Sequence, residues 1–488
     1  MGTFMTDTDA FTWYMERDPA LRSTIVSVAW LEHSPDWDAL VGNLERATRL
    51  VPIFRQRVIE PPARLSTPRW TVDDRFDLTW HFRRIDAPAP HTPETVVTFA
   101  RNAAMTAFDH TRPLWEFTLV EGLAGERAAL VMKVHHALTD GIGGMELALH
   151  LFDIDRAPRA PAAGPDPPPG ERIGTGELVR AGLAHDWNRT LGFVRDTTGS
   201  LVPAAARAAR HPVASVAAGF ETVRSIGRTV APVTETLSPI MKERSTARQF
   251  DMIEVQLGDL KDAAVRAGGS VNDGFMASVA GGFRRYHERH DASVDALRVT
   301  LPISIRKPDD PPGGNHITLM RFAVPVSDAD PASRIRAMGR LCHAARDERS
   351  LAFVNLIAAT LNLLPRAAVA GMLKHVDFVA SDIPGYAFPI FLAGSRVERI
   401  VAFGPTIGAA VNLSLLSYNG TCCIGVSIDT AAVADPDVLI ECLREGFEEV
   451  LTLGGAHEPA RLPLRDGAST HERESTDRNS RDEVAEHT

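Results

Sequence analysis

The 488-residue sequence is 44% hydrophobic and 23% charged, which is typical of a globular protein with a large core and excludes a disordered chain. A formal net charge of −10 without a block of basic residues argues against a nucleic-acid partner. The four cysteines form no CxxC pair, so we expect no disulfide framework, no metal site and a reduced, cytoplasmic environment. The N-terminus has no basic region followed by an apolar one, so we expect no secretion signal.

The first elements of the chain are predicted to be a strand, a helix and several short strands. Residues 24–30 favour a strand, and residues 37–50 place apolar side chains at helical spacing. Thr92 is suited to N-cap a helix that starts at Pro93. The other predicted pieces are strand or loop at 51–58, 68–74 and 78–85, a helix at 93–107, and a strand at 117–120 that completes an antiparallel meander with 128–134.

The strand at 128–134 opens into two histidines, His135 and His136, which are followed by an aspartate and several glycines. A neutral imidazole at such a strand end can take a proton from a hydroxyl near pH 7, because its pKa is about 6.5. The glycines from Gly141 onwards favour a turn that Asp140 shapes. The alternative is that Asp140 only N-caps a helix beginning near Gly141. The pair of histidines at this spacing favours a reactive loop.

Composition divides the chain into five parts. Residues 1–155 form an N-terminal half, 156–177 a proline-rich linker, 178–245 an alanine- and arginine-rich helical crossover, and 246–455 a C-terminal half. The crossover helices are expected either to pack on the protein or to lie near a membrane surface. Residues 456–488 lack aromatic side chains, so we expect a disordered tail there.

The second half predicts strands and helices in alternation. Residues 400–428 contain no charged side chain and are long enough to cross a bilayer, but the Asn419-Gly420 pair indicates a hairpin of buried strands instead. The predicted strands are 250–257, 297–305, 376–381, 397–403, 411–417 and 422–428, and the predicted helices are 259–267, 272–287, 331–373 and 435–453.

The sequence from His135 to Gly141 matches the HHxxxDG signature of the CoA-dependent acyltransferase superfamily. Five further motifs make the chain resemble the wax ester synthase/diacylglycerol acyltransferase family, in particular its actinobacterial members. These are Pro113-Leu114-Trp115-Glu116, Val271-Asn272-Asp273, Pro302-Ile303-Ser304-Ile305-Arg306, Gly314-Asn315 and Ser381-Asp382-Ile383-Pro384-Gly385. The resemblance implies an α/β (α+β) fold of two similar chloramphenicol-acetyltransferase-like domains. Their mixed sheets would meet at a central channel with His136 at its middle.

The resemblance also implies roles for the residues of the signature. His136 would be the general base, and His135 a supporting residue whose ring faces the core. Asp140 would point away from the reacting centre and pair with an arginine, for which Arg55 is the first choice. Arg57 and Arg306 are the other candidates for this structural pairing.

Other motif residues have both a catalytic and a structural interpretation. Asn272 could donate to the reacting carbonyl or oxyanion, or it could N-cap the helix it begins, with Asp273 favoured in the first turn by the helix dipole. Ser304 could donate to the oxyanion or be a satisfied strand hydroxyl. The motif residues Pro113, Leu114 and Trp115 are expected to pack, since none of them exchanges a proton at neutral pH.

The expected reaction is acyl transfer to a hydroxyl with acyl-CoA as a substrate and no cofactor. The acceptor would be diacylglycerol or a long-chain alcohol, giving triacylglycerol or wax esters. We expect a cytoplasmic protein, with peripheral association with the membrane or lipid droplets left open. The alternatives are a condensation or polyketide-associated acyltransferase with a carrier-bound donor, and a non-catalytic lipid-droplet or membrane-associated binding protein. Asp382 and Tyr386 depart from the family pattern, which has asparagine and proline there, and leave acceptor choice open.

Overall fold

The computed structural model describes residues 3–139, 144, 148–157, 165–188, 234–304, 317–346, 371 and 373–465. Several predictions fall outside these residues: those for Asp140, Gly141, Arg306 and Gly314-Asn315, most of the helical crossover, the helix prediction over 347–370, and the tail from residue 466. Ser304 ends a described strand, but its side chain lies outside the description.

Fourteen strands are present in the described part of the chain. In chain order they are β1 (Thr24–Leu31), β2 (Gln56–Ile59), β3 (Arg69–Val72), β4 (Phe82–Asp86), β5 (Trp115–Leu123), β6 (Arg127–His135), β7 (Arg248–Gln256), β8 (Ala296–Ser304), β9 (Ile317–Pro325), β10 (Phe378–Ile383), β11 (Phe391–Leu392), β12 (Ser395–Phe403), β13 (Val411–Tyr418) and β14 (Thr421–Asp429).

The main α-helices of the described residues pack against these strands. They are α1 (Asp7–Met15), α2 (Trp37–Leu50), α3 (Leu78–His81), α4 (Pro93–Met105), α5 (Leu257–Arg266), α6 (Val271–Arg289), α7 (Pro331–Arg346) and α8 (Pro436–Leu451). Residues 175–188 are also helical.

Two six-stranded sheets organise the molecule. The first has the order β11-β12-β1-β6-β5-β4 and the second the order β7-β14-β13-β10-β8-β9, while β2 and β3 form a separate pair. Each sheet mixes parallel and antiparallel neighbours, since β4 runs parallel to β5 and β10 runs parallel to both β8 and β13. The α/β fold of two mixed sheets, predicted from the sequence, is therefore confirmed.

The first sheet is completed by strands from the second half of the chain. β12 pairs antiparallel with β1, with Val26 opposite Phe403 and Ala29 opposite Ile400. β11 then pairs with β12 at the sheet edge. The second half therefore supplies two strands to the sheet that carries the histidines, which the sequence analysis did not predict.

The charge-free stretch from residue 400 to 428 forms the end of β12, all of β13 and most of β14. Asn419 and Gly420 link β13 to β14 with φ values of 46° and 89°, which suits an Asn-Gly turn between antiparallel strands. The predicted hairpin is confirmed. Within the described residues, no helix is both long and apolar enough to span a membrane.

Two local predictions are wrong. Residues 78–85 do not form one strand or loop piece, because Asp77 caps the short helix α3 before β4 begins at Phe82. The meander is limited to the β5–β6 hairpin, since β4 is parallel to β5 and is joined to it through α4. Thr92 does precede α4, but its side chain makes no capping hydrogen bond.

The packed body extends beyond Gly455, where the tail was expected to begin. Arg461 forms an antiparallel bridge with Glu254 of β7, and the Arg465 guanidinium lies 2.9 Å from the Asp251 carboxylate. Ala460, Leu462 and Leu464 are buried. The tail as a whole is polar, but these three apolar side chains bury enough surface to hold it against the body. The described chain is therefore packed as far as residue 465.

Candidate active site

A cavity of about 250 Å³ lies between the two sheets. Strands β1, β5, β6 and β12 form its first wall, and strands β8, β9, β10 and β13 form its second. First-wall side chains include Ile25, Ser27, Phe117, Met132, Val134 and His136, and second-wall side chains include Leu319, Val379, Ser381, Ile383, Asn412 and Ser414. The lining is mostly apolar, so the cavity suits an acyl chain or another lipid group.

His136 reaches the cavity because of strand alternation in β6. Met132, Val134 and His136 line the cavity, whereas Lys133 and His135 point to the other face of the sheet and are buried. The N–H of His136 donates to the carbonyl of Ser23 at 2.8 Å. The second histidine is thus fixed through its backbone and presents its ring to an apolar space.

His135 lies in the core beside a buried carboxylate. Its Nδ1 accepts from the N–H of Ala137 at 3.0 Å, so the ring proton is on Nε2, which lies 3.4 Å from Oε2 of Glu16. The ring also meets Trp13 and Phe108 edge-on. This arrangement occupies both ring nitrogens of His135 away from the cavity.

Glu16 links the His135 ring to the backbone of Ser23. Its Oε2 accepts from the N–H of Ser23 at 2.9 Å, and the carbonyl of the same serine accepts from the N–H of His136. Burial raises the pKa of the Glu16 carboxyl, but hydrogen bonds from His135 and the Ser23 N–H, together with the charge of nearby Arg22, outweigh burial and hold that pKa below its usual value. Glu16 is therefore an anion that organises the strand end.

The second wall carries a chain of neutral polar groups. Ser381 on β10 donates to the hydroxyl of Ser414 on β13 at 3.1 Å, and Ser414 donates to Oδ1 of Asn412 at 2.9 Å. The Asn412 amide then donates to the carbonyl of Pro405 at 2.9 Å. Ser381 and Ser414 are register partners of a parallel strand pair, which puts both hydroxyls on the cavity face.

Arg55 is held by neighbours from its own part of the fold. Its guanidinium lies 2.6 Å from the Glu45 carboxylate, donates to the Thr48 hydroxyl at 3.0 Å, and stacks 4.4 Å over Phe76. Its predicted partner, Asp140, lies outside the described residues, so their pairing stays a prediction. Among the other candidates, the Arg57 guanidinium lies 3.9 Å from Asp73, and Arg306 is outside the described residues.

Asn272 does not cap the helix it was expected to begin. Ser270 is the N-cap of α6 and forms a capping box with Asp273, whose carboxylate accepts from the Ser270 N–H at 2.8 Å. The Asn272 amide instead contacts Sγ of Cys342 at 3.4 Å. Neither Asn272 nor Asp273 is among the described residues that line the cavity, so the structure offers no contact in support of an oxyanion role.

The Pro113-Leu114-Trp115 motif supports the wall that bears His136. The Trp115 indole donates to the carbonyl of Phe54 at 2.8 Å, and its ring stacks on His81 and lines the cavity. The carbonyl of Leu114 accepts from the N–H of His135 at 3.0 Å. All these contacts are packing or backbone contacts.

The two departures from the family pattern, Asp382 and Tyr386, both line the cavity. Burial raises the pKa of the Tyr386 hydroxyl, and burial, with Asp382 nearby, raises the pKa of the Cys422 thiol to about 12. All four cysteines are buried thiols outside any disulfide. No cluster of three or more His, Cys, Asp or Glu side chains suited to a metal ion occurs in the described ranges.

Sequence reasoning missed Glu16, Asn412 and Ser414. Asn412 and Ser414 alternate in an otherwise apolar, charge-free strand, and this spacing of two polar residues on one strand face could have singled them out. Glu16 had no such signal, because its contact with His135 joins distant parts of the chain.

Comparison with known proteins gives consistent matches over nearly the whole chain. Residues 5–275 match the wax ester synthase/diacylglycerol acyltransferase catalytic domain, and residues 313–450 match the C-terminal domain of the same family. A Mycobacterium tuberculosis H37Rv protein provisionally named diacylglycerol O-acyltransferase is 35% identical over 451 residues, covering 92% of this chain and 91% of the relative.

Two solved structures share the fold at low identity. The wax ester synthase/diacylglycerol acyltransferase from Marinobacter aquaeolei VT8 has a TM-score of 0.62 at 19% identity and covers 93% of this chain and 100% of its own. The starter condensation domain of rhizomide synthetase, solved with C8-CoA, has a TM-score of 0.61 at 12% identity and covers 94% and 96% of the two chains. With the domain matches and the 35% identity of the mycobacterial relative, the HHxxxDG strand end and the cavity between two mixed sheets lead to one conclusion: the chain belongs to the wax ester synthase/diacylglycerol acyltransferase family.

Proposed function

We propose that the protein transfers the acyl group of acyl-CoA to the hydroxyl of a diacylglycerol or a long-chain alcohol, with His136 as the general base. The observation that carries the proposal is the position of His136, at a strand end on the wall of an apolar cavity between the two sheets. Family membership supports acyl transfer as the reaction class.

The proposed reaction is direct transfer. The His136 imidazole removes the proton of the acceptor hydroxyl as its oxygen attacks the thioester carbonyl, and a tetrahedral oxyanion forms. Collapse breaks the carbon–sulfur bond, and the imidazolium returns its proton to the CoA thiolate. The products are an ester and free CoA thiol, and the imidazole is neutral again.

His135, Asp140 and Gly141 would act on geometry in this proposal. The buried Glu16–His135 contact and the Ser23 carbonyl hold the backbone around His136, so the imidazole meets the substrate in a fixed position. Asp140 would shape the loop that follows, in a pair with Arg55. Ser304 stays a candidate donor to the oxyanion.

The test is product analysis with purified protein, labelled acyl-CoA and a panel of diacylglycerols, fatty alcohols and amines. Ester products released together with CoA thiol are expected. Amide products from the amines in place of esters would favour a condensation-type acyltransferase. Absence of transfer to every acceptor would overturn the proposal and favour a binding protein.

We further propose that the protein reaches its acceptor at a lipid surface, either a membrane or a lipid droplet. The acceptors are insoluble in water, and Leu183 and Trp187, four residues apart on the helical segment 175–188, expose 55% and 67% of their surface. Flotation with phosphatidylcholine vesicles is the test. The Leu183→Ser, Trp187→Ser double variant should float less than the unmodified chain, and equal flotation would contradict this docking site.

A further inference from the structure

Hydrogen bonds link Ser381, Ser414, Asn412 and the carbonyl of Pro405. The Pro405 carbonyl determines which group donates in each of them. The carbonyl of Pro405 can only accept, so the Asn412 atom that faces it must be the amide nitrogen. The Asn412 oxygen is then turned towards Ser414 and accepts from its hydroxyl. The single proton of Ser414 is thereby used.

The direction of the hydrogen bond between Ser381 and Ser414 is fixed as well. Because Ser414 has no proton left, the contact of 3.1 Å between the two hydroxyls requires Ser381 to donate and Ser414 to accept. Ser381 therefore has no proton for a ligand and presents only lone pairs to the cavity. Ser414 and Asn412 are 2% and 3% exposed, whereas Ser381 is only partly buried and lines the cavity.

The backbone of Gly404 keeps this chain in place. A Cβ atom at residue 404 would lie 2.8 Å from both Oδ1 of Asn412 and Oγ of Ser414, closer than real side chains approach. The absence of a side chain there lets the Gly404 backbone pack directly on the two polar groups. Rotation of the Asn412 amide would set its oxygen against the Pro405 carbonyl, so the orientation is stable.

We propose that Ser381 is a substrate-binding residue that accepts a hydrogen bond from an O–H or N–H group of a substrate other than the hydroxyl that reacts. The proposal rests on the acyl transfer proposed above. The reacting hydroxyl has one proton, which goes to His136, so it cannot also donate to Ser381. A developing oxyanion is likewise no ligand for Ser381, because lone pairs would repel it.

Such a donor can come from either substrate. The pantetheine arm of acyl-CoA has amide N–H groups close to the thioester, whereas a diacylglycerol or a 1-alkanol has a single hydroxyl, and only an acceptor with two hydroxyls, such as a 1,2-diol, offers a second O–H. The chemistry is the same in both: a neutral donor a few bonds from the reacting carbon. A neutral hydrogen bond of this kind contributes a factor of roughly 2 to 12 in kcat/KM.

The experiment measures kcat/KM for the full chain and for Ser381→Ala with two matched substrate pairs. The first pair is acyl-CoA and the butanethiol thioester of the same acid, which has no N–H. The second is a long-chain 1,2-diol and the 1-alkanol of the same length, which has no second hydroxyl. Ser27→Ala is the matched control, since Ser27 lines the opposite wall and the substitution removes the same atoms.

The expected result is a loss of about 2- to 12-fold in Ser381→Ala for the donor-bearing member of one pair, with a smaller loss for its partner. Selective loss with acyl-CoA assigns the donor to the pantetheine arm, and selective loss with the diol assigns it to the acceptor. Ser27→Ala should affect both members of each pair equally.

Equal losses within both pairs in Ser381→Ala, at unchanged melting temperature, would overturn the subsite and leave the proposed function standing. Lack of transfer by the unmodified chain would overturn both. A second variant guards against misfolding: Ser381→Thr keeps the hydroxyl and should retain the preference for the donor-bearing substrate. Loss of that preference in a folded Ser381→Thr variant would also count against the subsite.

Discussion

The two walls of the cavity use different kinds of polar group. The first sheet presents the imidazole of His136, which can accept a proton, and places the buried Glu16 carboxylate behind it. The second sheet presents Ser381, Ser414 and Asn412, which stay neutral at every physiological pH. In the proposed reaction, proton transfer would belong to the first wall and directional hydrogen bonding to the second.

This difference explains how polar groups can be placed at a cavity whose lining is mostly apolar. The carboxylate lies on the far face of the first sheet and reaches the site only through the backbone of Ser23 and the ring of His135. A neutral chain costs less to bury than a charge, so it can face the lipid directly.

The largest effect on activity is expected from removal of the His136 imidazole. His136→Ala should lower the rate of acyl transfer by about 10² to 10⁴, because general-base catalysis contributes a factor of that size. Melting temperature should change little, since the ring faces the cavity. The control is His33→Ala, whose ring is 49% exposed and should be dispensable. Full activity in a folded His136→Ala variant would remove this residue from the mechanism.

His135→Ala should lower the stability of the fold more, and the rate of acyl transfer less, than His136→Ala does. Its ring is fully buried between Trp13 and Phe108, and its loss leaves a cavity and removes the imidazole from beside the Glu16 carboxylate. We expect a loss of stability of about 3 to 5 kcal/mol, measured by denaturant unfolding, and a smaller loss of rate per folded molecule than in His136→Ala. A rate loss equal to that of His136→Ala with unchanged stability would contradict the supporting role.

The contact between the sheets can be tested at Gly425 of β14. A Cβ atom there would lie 2.2 Å from the carbonyl oxygen of Ala402 on β12, so the two sheets would have to move apart. Gly425→Ala should destabilise the fold by about 1 to 3 kcal/mol or more through overpacking. Gly258→Ala is the control, because a Cβ there meets nothing within 4 Å. Equal unfolding free energies in the two variants would be inconsistent with this close contact.

Glu16→Gln tests the carboxylate behind the first wall. Because the folded-state pKa of Glu16 is lowered, the carboxylate adds stability above the unfolded-state pKa of about 4.3 and loses that contribution as pH falls through the folded-state value. The unmodified chain should therefore be more stable than Glu16→Gln at pH 7, and the difference should shrink below about pH 4. Unfolding curves over this pH range would reveal it, and a constant difference would contradict the charged state.

The smallest effect is expected at the C-terminus. A chain ending at Arg465 keeps the Arg461–Glu254 bridge and the Arg465–Asp251 ion pair, whereas a chain ending at Gly455 loses both, together with the buried Leu462 side chain. The chain ending at Arg465 should melt like the full chain, and the chain ending at Gly455 should melt several degrees lower. Identical melting of the two would show that residues 456–465 add nothing.

Local patterns predicted much of this fold. The helical spacing over residues 37–50 gave α2 with the same bounds, and Asn419-Gly420 gave the β13–β14 hairpin, because both depend on neighbouring residues. The N-cap of α6 could also have been predicted, because Ser270 and Asp273 have the spacing of a capping box. The prediction of Asn272 as the N-cap did not take this spacing into account.

Long-range pairing could not be predicted in this way. The strand at 397–403 was expected, but its place beside β1 depends on contacts between residues more than 360 positions apart. For the same reason the Glu16–His135 contact and the Ser381–Ser414 bond had no local signature. The histidines themselves were identified by a motif, and motifs report chemistry more readily than the partners that hold it in place.

The pairing of β12 with β1 also limits how a bulky lipid can enter. Opening the cavity by a hinge between the two halves would break the hydrogen-bonded ladder that runs from Val26 opposite Phe403 to Leu31 opposite Val397. Such a ladder opens only with the cooperative loss of its sheet. We therefore expect a bulky substrate to enter by movement of side chains and loops around the cavity, with β12 still paired to β1.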